Sequence, residues 1–496
     1  MKKLDFPINR CTIDLTENCN LRCGYCFTFF NKDYKRKNLS LKTGTEIIDW
    51  IFKDEISQSD TIDLNWWGGE PFVKFDLMKQ LTDYALNKSS KTGKRLSVGG
   101  TSNVTLWTPE IVDWMDKHRA YFMMSIDGPK DIQDLNRPCA VKGESSWDMI
   151  EKNLPYIMKK IPFIGSRMSP TPQHVHRMSE TFKMLYEKYN IKSQMFSPVH
   201  ELEWTKEKLE EAKRQLMIIS DMIIEKRLKG QRFDVKHLDD GARIIESGKQ
   251  HAEFPCGAGR FYVGISTRGM IYPCHRFNKY NNGSDKNATL IGNIYDGITN
   301  PEFRNKFINW HSNPFPEKCT KDCELYGNLC DMACYAVSYD LTGSIYKPPK
   351  VYCDWQHMFA EVAKYYHKKL KENNLPIPGM NMGGNMNNSS CVCNNMCYQE
   401  NISGKEIINA DPNTDASCIC NNMSYNGGLD DQARKLTDKE RQELLGKKVA
   451  QVKQMSISPE GNVLLNQLME KMDRDKELQL KLIELISELT KQIKKD

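Results

Sequence analysis

The sequence predicts an α/β chain that opens with a partial (β/α)6 TIM-like barrel, continues into a cysteine-rich domain, and ends in a tail that is first flexible and then helical. Three observations carry this. From the start to about residue 200, short β-branched or apolar runs alternate with longer amphipathic stretches, the pattern of a parallel sheet with helical crossovers. The runs number six, too few for a closed eight-fold barrel. After residue 254 the chain turns rich in Cys, Gly, Asn and aromatic residues, which ends the alternation.

The expected strands are Cys11–Leu15, Ile62–Trp66, Arg95–Gly99, Tyr121–Ile126, Ile161–Ile164 and Gln194–Phe196. Amphipathic helices are expected over Lys42–Phe52, Leu77–Leu86 and Trp147–Ile157. Such a sheet carries its functional loops at the carboxyl ends of its strands, and residues 1–200 form this unit. Residues 201–250 read as a charged, mostly helical connector, strongly periodic over Glu207–Lys226. In 251–372 there are hairpin signals such as Phe261–Ser266, Gly269 and Met270–Pro273. Long apolar stripes are scarce there, so the region needs staples, and its seven cysteines can supply them through metal centres. Residues 373–430 are an Asn- and Cys-rich flexible segment, with fourteen Asn between 373 and 426, a composition that disfavours a packed core. Residues 431–496 return to helix-forming sequence. Ser458-Pro459-Glu460 is a helix start, and Leu478, Leu482, Leu485 and Leu489 share one face, as in a helix that docks on the body or on its twin.

Composition excludes several partners. The 70 basic and 64 acidic residues leave a net charge of +6, with no compact basic block, so nucleic acid and anionic lipid are not expected. The N-terminus lacks the apolar core of a secretory signal, and no run of about 18 apolar residues occurs. The expectation is a soluble, cytoplasmic protein. The seventeen cysteines fall in three groups, with Cys11 and Cys139 alone. Clustered cysteines in a long chain of this class point to metal ligation or redox chemistry rather than to a disulfide scaffold.

Cys19-x3-Cys23-x2-Cys26 follows the first expected strand, with Gly24 inside the loop. Three thiolates can hold three irons of a four-iron cluster, leaving the fourth to a small molecule with adjacent amine and carboxylate; a zinc site short of one ligand, or coincidence, are the alternatives. The companions of this loop resemble those of the radical S-adenosylmethionine (AdoMet) superfamily. Trp67-Gly68-Gly69-Glu70-Pro71 follows the second strand and is similar to the family's Gly-Gly-Glu-Pro motif, whose backbone and Glu meet the AdoMet amine. Thr101-Ser102-Asn103 partly matches a Thr-Asn-Gly segment at the end of the third. Ser125-Ile126-Asp127-Gly128-Pro129 ends the fourth and resembles a Ser-x-Asp-Gly motif that contacts AdoMet. By the same resemblance Arg137 holds the AdoMet carboxylate or ribose, and Tyr25 lies by the adenine. The implied chemistry is one-electron cleavage of AdoMet and hydrogen-atom abstraction from a substrate, with the protein positioning the reactants and excluding water.

The second group, Cys256, Cys274, Cys319, Cys323, Cys330, Cys334 and Cys353, resembles the SPASM domain of radical enzymes that modify peptides and proteins, although two gaps are one residue longer than usual. The resemblance implies two auxiliary 4Fe-4S clusters beside the radical one. Cys319, Cys323, Cys330 and Cys353 would hold one; Cys256, Cys274 and Cys334 would hold the other. The latter lacks a fourth cysteine, since Gln250 and His251 stand where it is expected. Its open iron could take a substrate thiolate, His251, Cys139 or solvent, and zinc remains an alternative for the whole domain. Anaerobic sulfatase maturases, which the chain also resembles, carry an acidic base after the cysteine matching Cys274. His275 stands there, and can act as a catalytic proton acceptor or merely pack near the cluster.

Cys391-Val-Cys-Asn-Asn-Met-Cys-Tyr398 recurs as Cys418-Ile-Cys-Asn-Asn-Met-Ser-Tyr425. The Cys393-x3-Cys397 spacing is similar to the Cys-x3 repeats of precursor peptides modified by one group of radical SPASM maturases. A fused substrate-like segment, an added metal site and an idle linker are all open. The leading expectation is a radical AdoMet/SPASM enzyme acting on a Cys-containing ribosomal precursor peptide, joining sulfur to carbon as a thioether, with ferredoxin or flavodoxin as electron donor. The runner-up is an anaerobic sulfatase maturase making formylglycine from Cys or Ser. An iron–sulfur electron carrier or scaffold is the alternative from another class, and the two AdoMet-type motifs count against it. Because the barrel starts almost at residue 1, no separate N-terminal peptide-recognition domain is expected.

Overall fold

The computed structural model describes residues 3–28, 35–248, 255–278, 288–310, 315–330 and 333–379. The tail repeat, the leucine stripe and Gln250–His251 lie outside them. Seven parallel strands, β1 (Arg10–Thr16), β2 (Thr61–Gly68), β3 (Arg95–Ser102), β4 (Tyr121–Ser125), β5 (Ser166–Met168), β6 (Ser193–Phe196) and β7 (Asp234–Val235), follow one another in chain order. The sheet then extends beyond β1 through β8 (Tyr262–Ile265), β9 (Met270–Tyr272), β10 (Gly292–Asn293) and β11 (Gly297–Ile298). It stays open, a partial barrel.

The alternation of β1 explains how the sheet is sandwiched. Cys11, Ile13 and Leu15 enter the main apolar core, while Arg10 pairs with Asp63 at 2.9 Å and Thr12 Oγ1 lies 3.0 Å from Tyr262 Oη. Successive side chains of a strand point to opposite faces, so one face meets the helices and the other lines the polar interior. Thr108 closes the start of helix Pro109–His118, and Thr205 that of Lys206–Leu228. A second core joins Lys206–Leu228 and Lys236–Ser247 to the long helix Lys350–Glu372, through Ile219, Ile223, Phe359 and Val362 among others.

Two expectations are corrected, and two features are added to the rest. Ile161–Ile164 is not a strand: it ends helix Leu154–Lys160, and β5 begins at Ser166. The single helix expected over Trp147–Ile157 is two, Ser146–Glu151 and Leu154–Lys160, because Pro155 opens a new first turn. The connector is more than helix, since β7 within it pairs with β6. The region after residue 254 also joins the sheet: β8 pairs in parallel with β1, from Arg10 opposite Tyr262 to Ile13 opposite Ile265.

Candidate active site

The loop after β1 is held from two sides. Arg22 N donates to Pro138 O at 2.7 Å, Ala140 N to Asn20 O at 2.8 Å, and Leu21 bridges Cys139. On the other side Gly69 N donates to Thr16 O and Glu70 N to Asn18 O, each at 2.9 Å. A Cβ on Gly68, whose φ is +137°, would lie 2.0 Å from Thr16 O; one on Gly69 would lie 2.3 Å from Asn18 O and 2.9 Å from Cys19 Cβ. The glycine pair is therefore required by the approach of the cysteine loop itself.

Glu70 is buried, and its carboxylate accepts from Phe72 N at 3.2 Å, Ser102 Oγ at 2.9 Å and Asn103 N at 2.7 Å. Burial pushes its pKa up to about 7 against these three lowering bonds. With the carboxylate so engaged, it braces β2 against β3. Asn103 completes the brace by donating to Asn20 Oδ1 at 2.9 Å.

At the end of β4, Asp127 is fully buried. It accepts from Arg137 Nη2 at 3.0 Å and Ser169 N at 2.9 Å, pairs with Arg137 Nε at 2.9 Å, and receives the Tyr25 hydroxyl. Arg137 also lies over the Tyr25 ring, 5.5 Å from its centroid. Burial alone would lower the guanidinium pKa, but Asp127, Tyr25 and Cys23 outweigh it. Burial drives the Tyr25 hydroxyl up.

Cys19, Cys23, Cys26, Tyr25, Gly68, Gly69, Glu70, Ser125 and Arg137 line one cavity at these strand ends. Pro71 is buried just behind, as the first residue of a 3-10 turn that Glu70 caps. The Cys19 thiol is raised above its ordinary value by burial and then by Glu70, and that of Cys23 to about 12 by burial. Cys19 and Cys23, where a bare thiolate is costly, line the cavity together with Cys26 and suit a metal group whose positive charge offsets theirs.

A protein-family model described as the radical SAM superfamily matches residues 13–185, the stretch that supplies all of these groups. Residues 13–185 are a radical SAM domain. The family implies a 4Fe-4S cluster and AdoMet. The chain is similar to a cysteine-type anaerobic sulfatase-maturating enzyme of Clostridium perfringens (strain 13 / Type A), 23% identical over 341 residues that cover 66% of this chain and 89% of the relative. It is also similar to an uncharacterized protein of Methanocaldococcus jannaschii, 27% identical over 186 residues, 37% of this chain and 60% of that protein. Among solved structures, histidine-tagged anSMEcpe with bound AdoMet superposes with a TM-score of 0.61 at 20% identity, covering 74% of this chain and 96% of that one. Native anSMEcpe with bound AdoMet and Kp18Cys peptide gives 0.58 at 19%, covering 74% and 99%. These likenesses bear on the fold.

The radical SAM cavity has a second wall that the sequence did not announce. Arg167 and Ser169 come from β5 and its end, Ser197 and Glu201 from the loop after β6, and Arg276 from the segment after β9. Arg276 donates to Glu201 across 75 residues of sequence and lies over Phe27, 4.8 Å from its centroid. Glu201 is lowered from the usual carboxylate range, with burial opposing and Arg276 the first cause in favour. Asp14, on the inward face of β1, also went unremarked; it accepts from Asn278, and burial pushes its carboxyl up to about 8.

His275 stands behind the cavity wall. It is buried, its Nδ1 lies 2.6 Å from Tyr262 Oη, and its ring lies 4.2 Å from that of Trp67. Trp67 lines the cavity; His275 does not. Burial, aided by Arg276 and Arg167, holds the imidazole neutral.

The second cysteine group divides in space. Cys274 is raised by burial and by the neighbouring Cys334 and Cys256, so these three share one locality. Cys319 is raised by burial and by Cys353 and Cys323, while Tyr326 feels both Cys319 and Cys330. Cys139 lies elsewhere, bridged to Leu21, and is removed as a fourth ligand of the Cys256 set. The described cysteines form no disulfide, and no helix among the described residues is long and apolar enough to cross a membrane.

Proposed function

We propose that this enzyme abstracts a hydrogen atom from a Cys-containing peptide and closes a thioether. The single observation that carries the reading is the convergence of Cys19, Cys23 and Cys26 with Gly68, Gly69, Ser125 and Arg137 on one cavity at successive strand ends. When bound there, a reduced 4Fe-4S cluster supplies the electron that splits AdoMet. The three thiolates would hold the cluster, the Gly68–Gly69 backbone and Ser125 would take the AdoMet amine and carboxylate, and Arg137, fixed by Asp127, would meet the anionic end. Tyr25, held by the same Asp127, would border the adenine.

Closing a thioether removes two hydrogens from the substrate. One leaves as an atom; the other leaves as a proton, and an electron passes to an acceptor. Auxiliary clusters on Cys256, Cys274 and Cys334 and on Cys319, Cys323, Cys330 and Cys353 fit that acceptor role, and an open iron in the first set would receive the substrate thiolate. The sulfatase-maturating relative, 89% of whose length is matched, favours formylglycine formation as the second reading.

Cys23→Ala should abolish 5'-deoxyadenosine formation under dithionite while the far-ultraviolet circular dichroism is unchanged; undiminished formation sinks the assignment. Iron analysis should give about twelve irons per chain for three four-iron clusters. Mass analysis of synthetic Cys-containing peptides separates the two products: two hydrogens lost with sulfur retained for a thioether, sulfur lost for formylglycine.

A further inference from the structure

The second wall brings two guanidiniums to the cavity, Arg167 and Arg276, against one carboxylate, Glu201. Both guanidiniums lie near enough to His275 for their charges to disfavour its cation, so they share one locality. On the first wall Arg137 is answered by the buried Asp127 at 2.9 Å. The second wall keeps one positive charge in excess among the described groups that line it. Glu201 is the carboxylate that acts most strongly on Arg276; Asp340 acts on it less and does not line the cavity. The two nearby imidazoles add no charge, since burial holds His275 neutral and lowers His200 to about 4.

Arg276 is held in place with part of its fork unspent. It is 8% exposed, Glu201 fixes its Nη2, and its guanidinium carbon lies 4.8 Å from the centroid of the Phe27 ring. Its Nε is buried and finds no hydrogen-bond partner among the described residues. Ser197, at the end of β6, adds a hydroxyl to the same wall, its backbone N being taken by Met168 O at 2.8 Å. Unspent donors and an unanswered charge become costly once water is displaced from around them. A peptide that fills the cavity must therefore bring an acceptor of its own, and the planar guanidinium fork matches a carboxylate in shape and in charge.

We propose that Arg167 and Arg276 receive a side-chain carboxylate of the substrate, so that the enzyme selects a Cys-containing peptide with Asp or Glu near the cysteine. Glu201 positions Arg276 for that contact. The contact is a charge-assisted hydrogen bond, with no covalent step. This selection deepens the peptide-modifying reading of the cavity and rests on it.

The test uses the reconstituted, AdoMet-loaded enzyme and C-terminally amidated Cys-containing peptides in which Glu, Gln or Lys stands in turn at each position flanking the cysteine. Calorimetry without reductant should find a position at which Glu binds about tenfold or more tighter than Gln, the worth of a hydrogen bond between charged groups. Lys should bind more weakly than Gln there. Under dithionite, kcat/KM for modification should rank the three peptides in the same order. Arg167→Gln should erase most of the Glu preference, and Arg167→Lys, which keeps the charge, should restore part of it. A residue that merely supports the fold would weaken all three peptides alike. Equal Kd values for the Glu, Gln and Lys peptides at every position overturn the proposal, as does an Arg167→Gln enzyme that keeps the wild-type ranking. Should that variant also lose AdoMet affinity by equilibrium dialysis, the guanidinium serves the AdoMet carboxylate instead. Preferential binding of a Glu peptide that is never modified leaves the carboxylate site standing and sinks the thioether reading.

Discussion

The cavity's two walls are built on different principles. The wall from β1 to β4 is held by short bonds that each involve the backbone: Gly69 N on Thr16 O, Glu70 N on Asn18 O, and Asn103 N on the Glu70 carboxylate. The wall from β5, β6 and the segment after β9 adds to its backbone bonds, such as Ser197 N on Met168 O, a long-range side-chain pair, Arg276 on Glu201, that brings the segment after β9 to it. Backbone placement tolerates almost no change, because a misplacement near the chemistry of about 1 Å costs about 100-fold in rate. A side-chain pair can be exchanged while the backbone stays. The first wall is thus suited to holding invariant chemistry, and the second to setting which substrate is accepted.

The strongest way to break this division is Asp127→Asn. The change leaves the buried Arg137 without its counter-charge and removes an acceptor from Tyr25 and Ser169 N, at a cost of about 3–5 kcal/mol. Urea unfolding should report that loss, and AdoMet affinity by equilibrium dialysis should fall at least tenfold. Glu201→Gln on the second wall should be milder. The Glu201 side chain is 30% exposed, so water takes up part of the lost pairing and the cost is about 1–2 kcal/mol. Dithionite-driven AdoMet cleavage should be unchanged, while peptide modification falls. If cleavage falls as far as in Asp127→Asn, the walls are not separable.

The legible wall in the sequence is the same one. Its three cysteines sit within eight residues, from Cys19 to Cys26, and its other groups follow strands of ordinary length and apolar content. The second wall was hidden for physical reasons. β5 is three residues, Ser-Arg-Met, polar where it borders the cavity, so the apolar run Ile161–Ile164 drew the expectation instead. β7 has two residues and no periodicity to detect. The pairing of β8 with β1 joins positions about 250 residues apart, and no local propensity encodes it. His275 shows the same limit: its position after Cys274 is plain in sequence, yet only the fold shows that Trp67 stands on the cavity and His275 behind it.

Acidity sharpens the contrast at smaller amplitude. Glu70 in the first wall rises from 4.5 to about 7 on folding. Between these values the unfolded chain releases its proton and the folded chain keeps it, so this group lowers stability as pH rises. His200, buried after β6 against Tyr352 and Trp355, falls from 6.5 to about 4, chiefly by burial. There the unfolded chain holds the extra proton, so this group raises stability as pH rises from about 4 to 6.5. Each swing is about 3 kcal/mol, and in the wild type the two oppose each other. In cluster-free protein, urea unfolding of Glu70→Gln should therefore gain on wild type between pH 5 and pH 7, and His200→Phe should lose on it over the same range. Parallel curves for both variants would show that neither group is titrating as its burial dictates.

The smallest effect is expected at His275. Its Nδ1 contact with Tyr262 holds a hydroxyl that also lies 3.0 Å from Thr12 Oγ1, and its ring backs Trp67. Glutamine keeps a polar partner for Tyr262 and loses only part of the ring packing, so His275→Gln should cost about 1 kcal/mol. Because the imidazole is held neutral and away from the cavity, the substitution removes no group that reaches the substrate. Peptide modification should stay within about threefold of wild type, and its pH profile should be unmoved. A loss near 100-fold with AdoMet cleavage intact would mean that Trp67 swings aside during turnover and exposes the imidazole. His275 would then be the proton acceptor, and the second wall would hold chemistry as well as selectivity.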